Sequence, residues 1–225
     1  MGDTRLVLDY LPRVVPEEPG RPDLEGDDHP IRKVTRQVAF EPSAWTPERA
    51  AKVADLFDSL APTWAERDGG GREGALRTVL GDALDRGGPF PRGWCLEVGC
   101  GTGSATPLLA ERFSSVLALD LSYEMLCRAP NDLGGRVLAD GYCLPLRSAS
   151  AAAVALVNAL LFPAEVERVL EPGGVVIWVS TLGDRTPIYL PAEDVAAALP
   201  GNWDVVASEA GWGSWAVLRR APRVM

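Results

Sequence analysis

Glu97, Asp120 and Asp140 are the residues whose placement suggests chemistry. Glu97 lies in "WCLEVGC", Asp120 closes "LALD" and Asp140 closes "VLAD". Gly99, Cys100, Gly101 and Gly103 follow the first acid in the turn "GCGTG". Alternate glycines add backbone entropy that folding must remove, so this turn is read as one that brings backbone amides close to a ligand. A tight corner in any layered fold is the plainer alternative. The acids select among ligands. A pyrophosphate prefers a helix N-terminus without an adjacent carboxylate, whereas Glu97 favours a ligand with a cationic portion. Asp120 follows the turn by roughly twenty residues, the spacing of an acid that hydrogen-bonds ribose hydroxyls. Asp140 stands where a carboxylate can accept from an adenine amino group.

Phosphate-bearing cofactors fit the turn poorly. The dinucleotide fingerprint GxGxxG places its third glycine one residue later, and position 104 here is Ser. The triphosphate loop GxxxxGK[ST] needs a lysine, and none is near. S-adenosylmethionine carries an ammonium and a sulfonium and no phosphate, which matches the acids better.

The elements that must hold these residues alternate. "WCLEVGC", "SVLALDLS", "RVLAD", "AAVALVNALLF" and "GGVVIWVST" read as strands. "TPLLAERF", "YEMLCRA", "PAEVERVL" and "PAEDVAAAL" read as helices between and after them. Strands alternating with helices predict a parallel sheet covered on both faces, with the ligand at the carboxyl ends of the strands where their order reverses. The tail "WDVVASEAGWGSWAVLRR" predicts an antiparallel hairpin at the sheet edge. Ahead of the core, "TPERAAKVADLFDSL" has a capping Thr46, Pro47 at the first helical position and an apolar stripe at Val53, Leu56, Phe57 and Leu60. "EGALRTVLGDALDRG" predicts a second helix. The segment "PRVVPEEPGRPDLEGDDHPIRK" shows neither period and is rich in Pro, Gly and acid, as in an extended arm. "RLVLDYL" before it reads as a short strand or a turn of helix.

Composition sets outer bounds. A chain of 225 residues can bury a full core without disulfides or metal. A net charge of −9 argues against a broad nucleic-acid surface. Cys95, Cys100, Cys127 and Cys143 form no CxxC pair and have no histidine nearby, so reduced thiols in a cytoplasmic protein are expected and no metal site. No secretory signal is read in residues 1–30. The most apolar stretch, "SASAAAVALVNALLFPAEV", falls short of a bilayer span.

Taken together, the motifs resemble the class I S-adenosylmethionine-dependent methyltransferases, in their small-molecule branch. "LEVGCGTGSAT" is similar to the family's first motif, "LALDLSYEML" to its second-strand segment, "RVLADGYCLPL" to the third, and "VLEPGGVVIWV" to the turn entering the fifth strand. "LFDSLAPTWAER" is similar to a segment of the ubiquinone and menaquinone methyltransferases, departing from it at Trp64 and Ala65, so the quinone substrate is not carried over. The resemblance implies an α/β, Rossmann-like, doubly wound sheet of seven strands, mostly parallel with an antiparallel C-terminal hairpin. Residues 1–45 would be an N-terminal arm, extended or partly disordered. Residues 46–225 would be the methyltransferase domain, with a helical lead-in over 46–90 and the core over 92–225.

The resemblance also implies roles. Glu97, Gly99, Cys100 and Gly101 would line the methionine portion of the cofactor, and Gly103 would let the helix approach. Asp120 would hold the ribose, Leu121 would pack on adenine, and Asp140 with Gly141 would meet the adenine edge. Asn158 would face cofactor and acceptor, unless its amide serves only its loop. Arg67 is added as a partner for the cofactor carboxylate, with Trp64 folding over the cleft or anchoring helix to sheet. No catalytic base is assigned. His29, the sole histidine, is read as a surface residue beside acids, and Tyr142, Tyr189, Glu165 and Asp184 are only within reach of a cleft mouth. Trp64, Phe162, Tyr189, Trp212 and Trp215 could wall an apolar acceptor. The expected function is methyl transfer to a small molecule. The alternatives are a non-catalytic S-adenosylmethionine-binding protein and an NAD(P)-dependent oxidoreductase.

Overall fold

A computed structural model describes residues 7–22, 29–64, 66, 71–130 and 134–221. Among these, one sheet of eight strands forms the middle layer: β1 (Val7–Tyr10), β2 (Cys95–Val98), β3 (Val116–Asp120), β4 (Gly135–Leu138), β5 (Ala151–Val157), β6 (Leu170–Ser180), β7 (Trp203–Ala210) and β8 (Gly213–Arg220). Their spatial order is β1-β7-β8-β6-β5-β2-β3-β4. β8 runs antiparallel to both β6 and β7, and every other pairing is parallel.

Seven helices flank the sheet among the described residues: α1 (Pro30–Phe40), α2 (Pro47–Leu60), α3 (Arg72–Arg86), α4 (Thr106–Ala110), α5 (Tyr123–Arg128), α6 (Pro163–Val169) and α7 (Ala192–Ala198). Successive strand residues face opposite sides. Val176 and Trp178 of β6 therefore join one core with Val166 of α6 and Val195 of α7. Val175, Ile177 and Val179 join a second core with Val79 and Leu80 of α3 and Leu109 of α4. Burial on both faces is why β5 reads "AAAVALV" with no polar alternation.

Two expectations are corrected. The sheet has eight strands, not seven, because "VLDY" of the arm pairs in parallel with β7, from Val7 opposite Asp204 to Tyr10 opposite Ala207. The C-terminal hairpin consequently lies inside the sheet, with β1 at the edge. "RLVLDYL" reads as a short strand or a turn of helix, but its partner lies almost two hundred positions away, so no local pattern marks the pairing.

The arm also holds a helix. α1 buries Ile31, Thr35, Val38 and Ala39, residues spaced by a helical period that begins at the end of the Pro-rich segment. Arg13 bonds Glu209 and the Gly211 carbonyl, and Trp212 Nε1 donates to the Glu18 carbonyl. These contacts lead the arm from the sheet edge across the strand ends. Arg32 then ties α1 to the loop after β6 through the Thr186 carbonyl at 2.7 Å.

Chain order reverses beside β2. The chain steps outward through β3 and β4, then crosses back to lay β5 on the other side of β2. The turns after β2 and β5 thus diverge and leave a crevice at their carboxyl ends.

Candidate active site

The crevice is a cavity of about 620 Å³, within the range of small-molecule sites, about 300–1,000 Å³. Its floor is the turn after β2. Gly99 and Gly101 adopt φ of +71° and +56°, in the left-handed region that favours glycine. A Cβ on Gly99 would lie 2.7 Å from the Ala159 Cβ, whereas one on Gly101 would meet no atom within 4 Å, because it would project into open space. The first glycine is required for packing and the second leaves room for a ligand.

Asp120 ties the floor together. Its Oδ2 accepts from the Gly101 amide at 2.7 Å and its Oδ1 from the Ser122 amide at 2.8 Å. Burial raises its pKa, and those amides counter the rise. Ser122 caps α5 through the Met125 amide and donates its hydroxyl to Asp58 of α2. Asp58 also accepts from the Glu124 amide at 3.0 Å, so α2 is fastened to α5 above the second strand end.

Glu97 is 2% exposed. Its Oε2 accepts from the Thr106 hydroxyl at 2.5 Å. Burial pushes its pKa up to about 7, the Thr106 bond opposes this, and the charge of Asp120 adds to it. A ligand cation would reverse that penalty. Cys100 lines the cavity as a thiol, since burial raises its pKa strongly and Glu97 and Asp120 add to the effect.

Asp140 accepts from the Tyr142 amide through Oδ1 at 2.8 Å. Its Oδ2 accepts from Trp45 Nε1 at 2.8 Å. Leu121 and Gly141 also line the cavity, while Gly103 is buried behind it and donates its amide to the Cys100 carbonyl.

Asn158 directly follows β5, at φ +51°. Its Nδ2 donates to the Thr181 hydroxyl at 2.8 Å and its Oδ1 accepts from the Thr181 amide at 2.9 Å. Its amide group clamps β5 to β6 while the residue lines the cavity.

The apolar wall comes from the arm, the lead-in and the segments that follow β5 and β6. Ile31, Val53, Phe57, Trp64, Phe162 and Ile188 are among its residues. Trp45 packs edge-on to Phe162 at 5.0 Å, and Phe57 to Trp64 at 6.2 Å.

Several expectations separate here. Glu97, Gly99, Cys100, Gly101, Asp120, Leu121, Asp140, Gly141 and Asn158 converge on one cavity. Arg67 lies outside the described residues. His29 is not a surface bystander: it lines the cavity from the N-cap of α1. Tyr189, Trp212 and Trp215 are not wall residues. Tyr189 stacks under Arg32, Trp212 holds the arm, and Trp215 donates to Asp82 from the core. Glu165 is held by Arg168 and the Leu144 amide, and Asp184 by Arg21, both off the cavity. Trp45 was missed, although an indole preceding a capping Thr46 and Pro47 is a recognisable helix lead-in.

Residues 96–178 match the family model of the methyltransferase domain. That match spans less than half of this chain and is similarity to a methyltransferase domain over the segment that holds the glycine turn. A curated relative, the malonyl-[acyl-carrier protein] O-methyltransferase of Hamiltonella defensa subsp. Acyrthosiphon pisum (strain 5AT), is 34% identical over 108 residues. That match covers 44% of this chain and 42% of the relative, less than half of either. A methyltransferase structure from Aquifex aeolicus superposes with a TM-score of 0.51 at 16% identity, covering 78% of this chain and 98% of the other. One from Methanococcus maripaludis gives 0.53 at 18% identity, covering 77% and 94%. The structural likenesses establish the fold. The matched segment runs from β2 into β6, and the cavity sits over its glycine turn.

Proposed function

We propose that this protein transfers a methyl group from S-adenosylmethionine to a small, largely apolar acceptor. The observation that carries the reading is the division of the cavity. Glu97, Asp120 and Asp140 stand on the sheet side, an apolar wall stands opposite, and no Lys or Arg is among the described lining residues. A dinucleotide pyrophosphate would meet carboxylates there with no cation among the described lining residues to offset them, which disfavours the oxidoreductase alternative. The open space over Gly101 and the buried carboxylate of Glu97 suit a nucleoside with a cationic amino-acid tail.

When bound, S-adenosylmethionine supplies an electrophilic methyl on a sulfonium. In this reading Glu97 and the Gly99–Gly101 turn hold the amino-acid portion, Asp120 the ribose, and Leu121, Asp140 and Gly141 the adenine. Arg67 is proposed as the partner of the cofactor carboxylate. Asn158 fixes the ends of β5 and β6 between cofactor and acceptor. The apolar wall excludes water and orients the acceptor, which is the main contribution a protein can make to such a displacement. We assign no catalytic base, and we place the protein in the cytoplasm with no nucleic-acid partner. The described residues include no helix long and apolar enough to cross a membrane. The division into an arm over 1–45 and a methyltransferase domain over 46–225 belongs to the same proposal.

Thermal melts with S-adenosylhomocysteine, S-adenosylmethionine and NADH test the cofactor. A ligand at about a hundred times its Kd stabilises by about 2.7 kcal/mol, a shift of some degrees. A shift with the adenosyl compounds alone is expected, and a shift with NADH alone would reject the reading. Labelled-methyl transfer to a panel of phenols, ketones, amines and carboxylic acids then separates an enzyme from a binding protein.

A further inference from the structure

His29 comes to the cavity from outside the methyltransferase core, carried there by the arm and α1. It is the N-cap of α1, and its Nδ1 accepts from the Ile31 amide at 3.2 Å. An imidazole nitrogen that accepts a backbone N–H must present its lone pair, so in the neutral ring the proton sits on Nε2. Nε2 makes no hydrogen bond to a described residue, and the ring lines the cavity beside the apolar wall. The remaining titratable groups among the described lining residues are Glu73, Glu97, Asp120, Asp140 and the Cys100 thiol. Four carboxylates, with no Lys or Arg among the described lining residues, oppose an anion beyond the cofactor carboxylate assigned to Arg67.

We propose that His29 is the acceptor-binding residue, donating its Nε2–H to an oxygen of an uncharged, largely apolar molecule. The inference rests on the reading above for the location of the acceptor half of the cavity. A nitrogen that already holds a proton cannot take one from the acceptor. His29 therefore orients and does not act as the base. A carboxylate acceptor, such as the relative's name would suggest, is disfavoured by the surrounding acids.

A sole histidine makes the test direct. Nitrogen NMR on protein labelled with ¹⁵N only in histidine gives one imidazole, so no residue assignment is needed, and couplings to the two ring C–H protons tell Nδ1 from Nε2 and so report the tautomer. The expected state is Nδ1 unprotonated and Nε2 protonated. Two matched probes, 4-propylacetophenone and 4-propylbenzoate, are then titrated with S-adenosylhomocysteine present and absent. The ketone is expected to shift the Nε2 signal and to bind at least tenfold more tightly than the benzoate.

Two substitutions divide the nitrogens. His29→Asn can still cap α1 but offers nothing at the Nε2 position. It should keep Tm and weaken ketone binding by about two- to tenfold. His29→Gln places an amide N–H near the Nε2 position and loses the cap, so it should lower Tm and retain more of the affinity. An Nδ1-protonated ring, equal binding of the two probes, no binding of either, or ketone affinity indifferent to His29→Asn would each overturn the assignment. Failure of S-adenosylhomocysteine to bind would instead reject the cofactor reading, while the tautomer and the ligand-free titrations still judge His29.

Discussion

Trp45 Nε1 donates to Asp140 Oδ2 at 2.8 Å, joining residues 95 positions apart. One belongs to the segment before α2 and the other ends the third strand-to-loop segment of the core. The bond aims the carboxylate, whose other oxygen is held by the Tyr142 amide. Trp45→Phe keeps the ring against Phe162 and deletes the donor. It should cost about 1.5–3 kcal/mol in urea denaturation, the range for a hydrogen bond to a charged group, and weaken S-adenosylhomocysteine in calorimetry less than Asp140→Ala does. Unchanged stability and affinity would show that the indole does not aim Asp140.

The two glycines of the turn should respond differently to alanine. Both substitutions carry the strain of a positive φ, about 1–2 kcal/mol. Gly99→Ala adds a clash with Ala159 at 2.7 Å, whereas the new methyl of Gly101→Ala enters the cavity. Gly99→Ala should therefore lose more in denaturation. Gly101→Ala should fold and lose at least tenfold in affinity for S-adenosylhomocysteine. If Gly101→Ala binds normally, no ligand approaches that backbone.

Glu97 predicts a pH dependence of known sign. Its folded pKa is raised to about 7, chiefly by burial, while an unfolded glutamate titrates near about 4.3. The folded protein thus keeps a proton that the unfolded chain gives up. This residue lowers stability progressively as pH rises across that window, and its full penalty is present above about pH 7. Binding of a cationic ligand favours the ionised form. Affinity for S-adenosylhomocysteine should rise with pH, by up to about tenfold per unit below pH 7. Calorimetry near pH 6 in buffers of different ionisation enthalpy should detect proton release on binding. Glu97→Gln should flatten the stability profile and weaken the ligand. Binding without proton release would place the ligand's cation away from Glu97.

Asn158 combines a left-handed backbone with a two-bond clamp on Thr181. Asn158→Ala loses both bonds and keeps the strain, so it should destabilise by about 2–4 kcal/mol. Asn158→Gly loses the same bonds but adopts the φ freely and should cost less. Equal losses in denaturant midpoint would mean that the backbone conformation relaxes in the alanine variant.

Much of the core was legible because its signals are local. Alternating apolar runs, the "GCGTG" turn and the acids at strand ends depend on neighbours a few residues apart, and a doubly wound sheet places such turns together at one edge. Glu97, Asp120 and Asp140 could therefore be named before any contact was known. Thr46 as the cap of α2 was legible for the same reason, since its hydroxyl accepts from the Arg49 amide three residues on.

What sequence alone determined is the order and kind of the elements from α2 onward and the chemistry of the cavity floor, because backbone period and turn geometry are set by adjacent residues. Only the tertiary structure decided the roof. β1 exists because β7 offers a free edge, Trp45 has a role because Asp140 lies beneath it, and His29 faces the cavity because α1 is held on the loop after β6. Each of these rests on hydrogen bonding or packing between distant segments. Such contacts repay chain ordering only after the fold has brought the partners together.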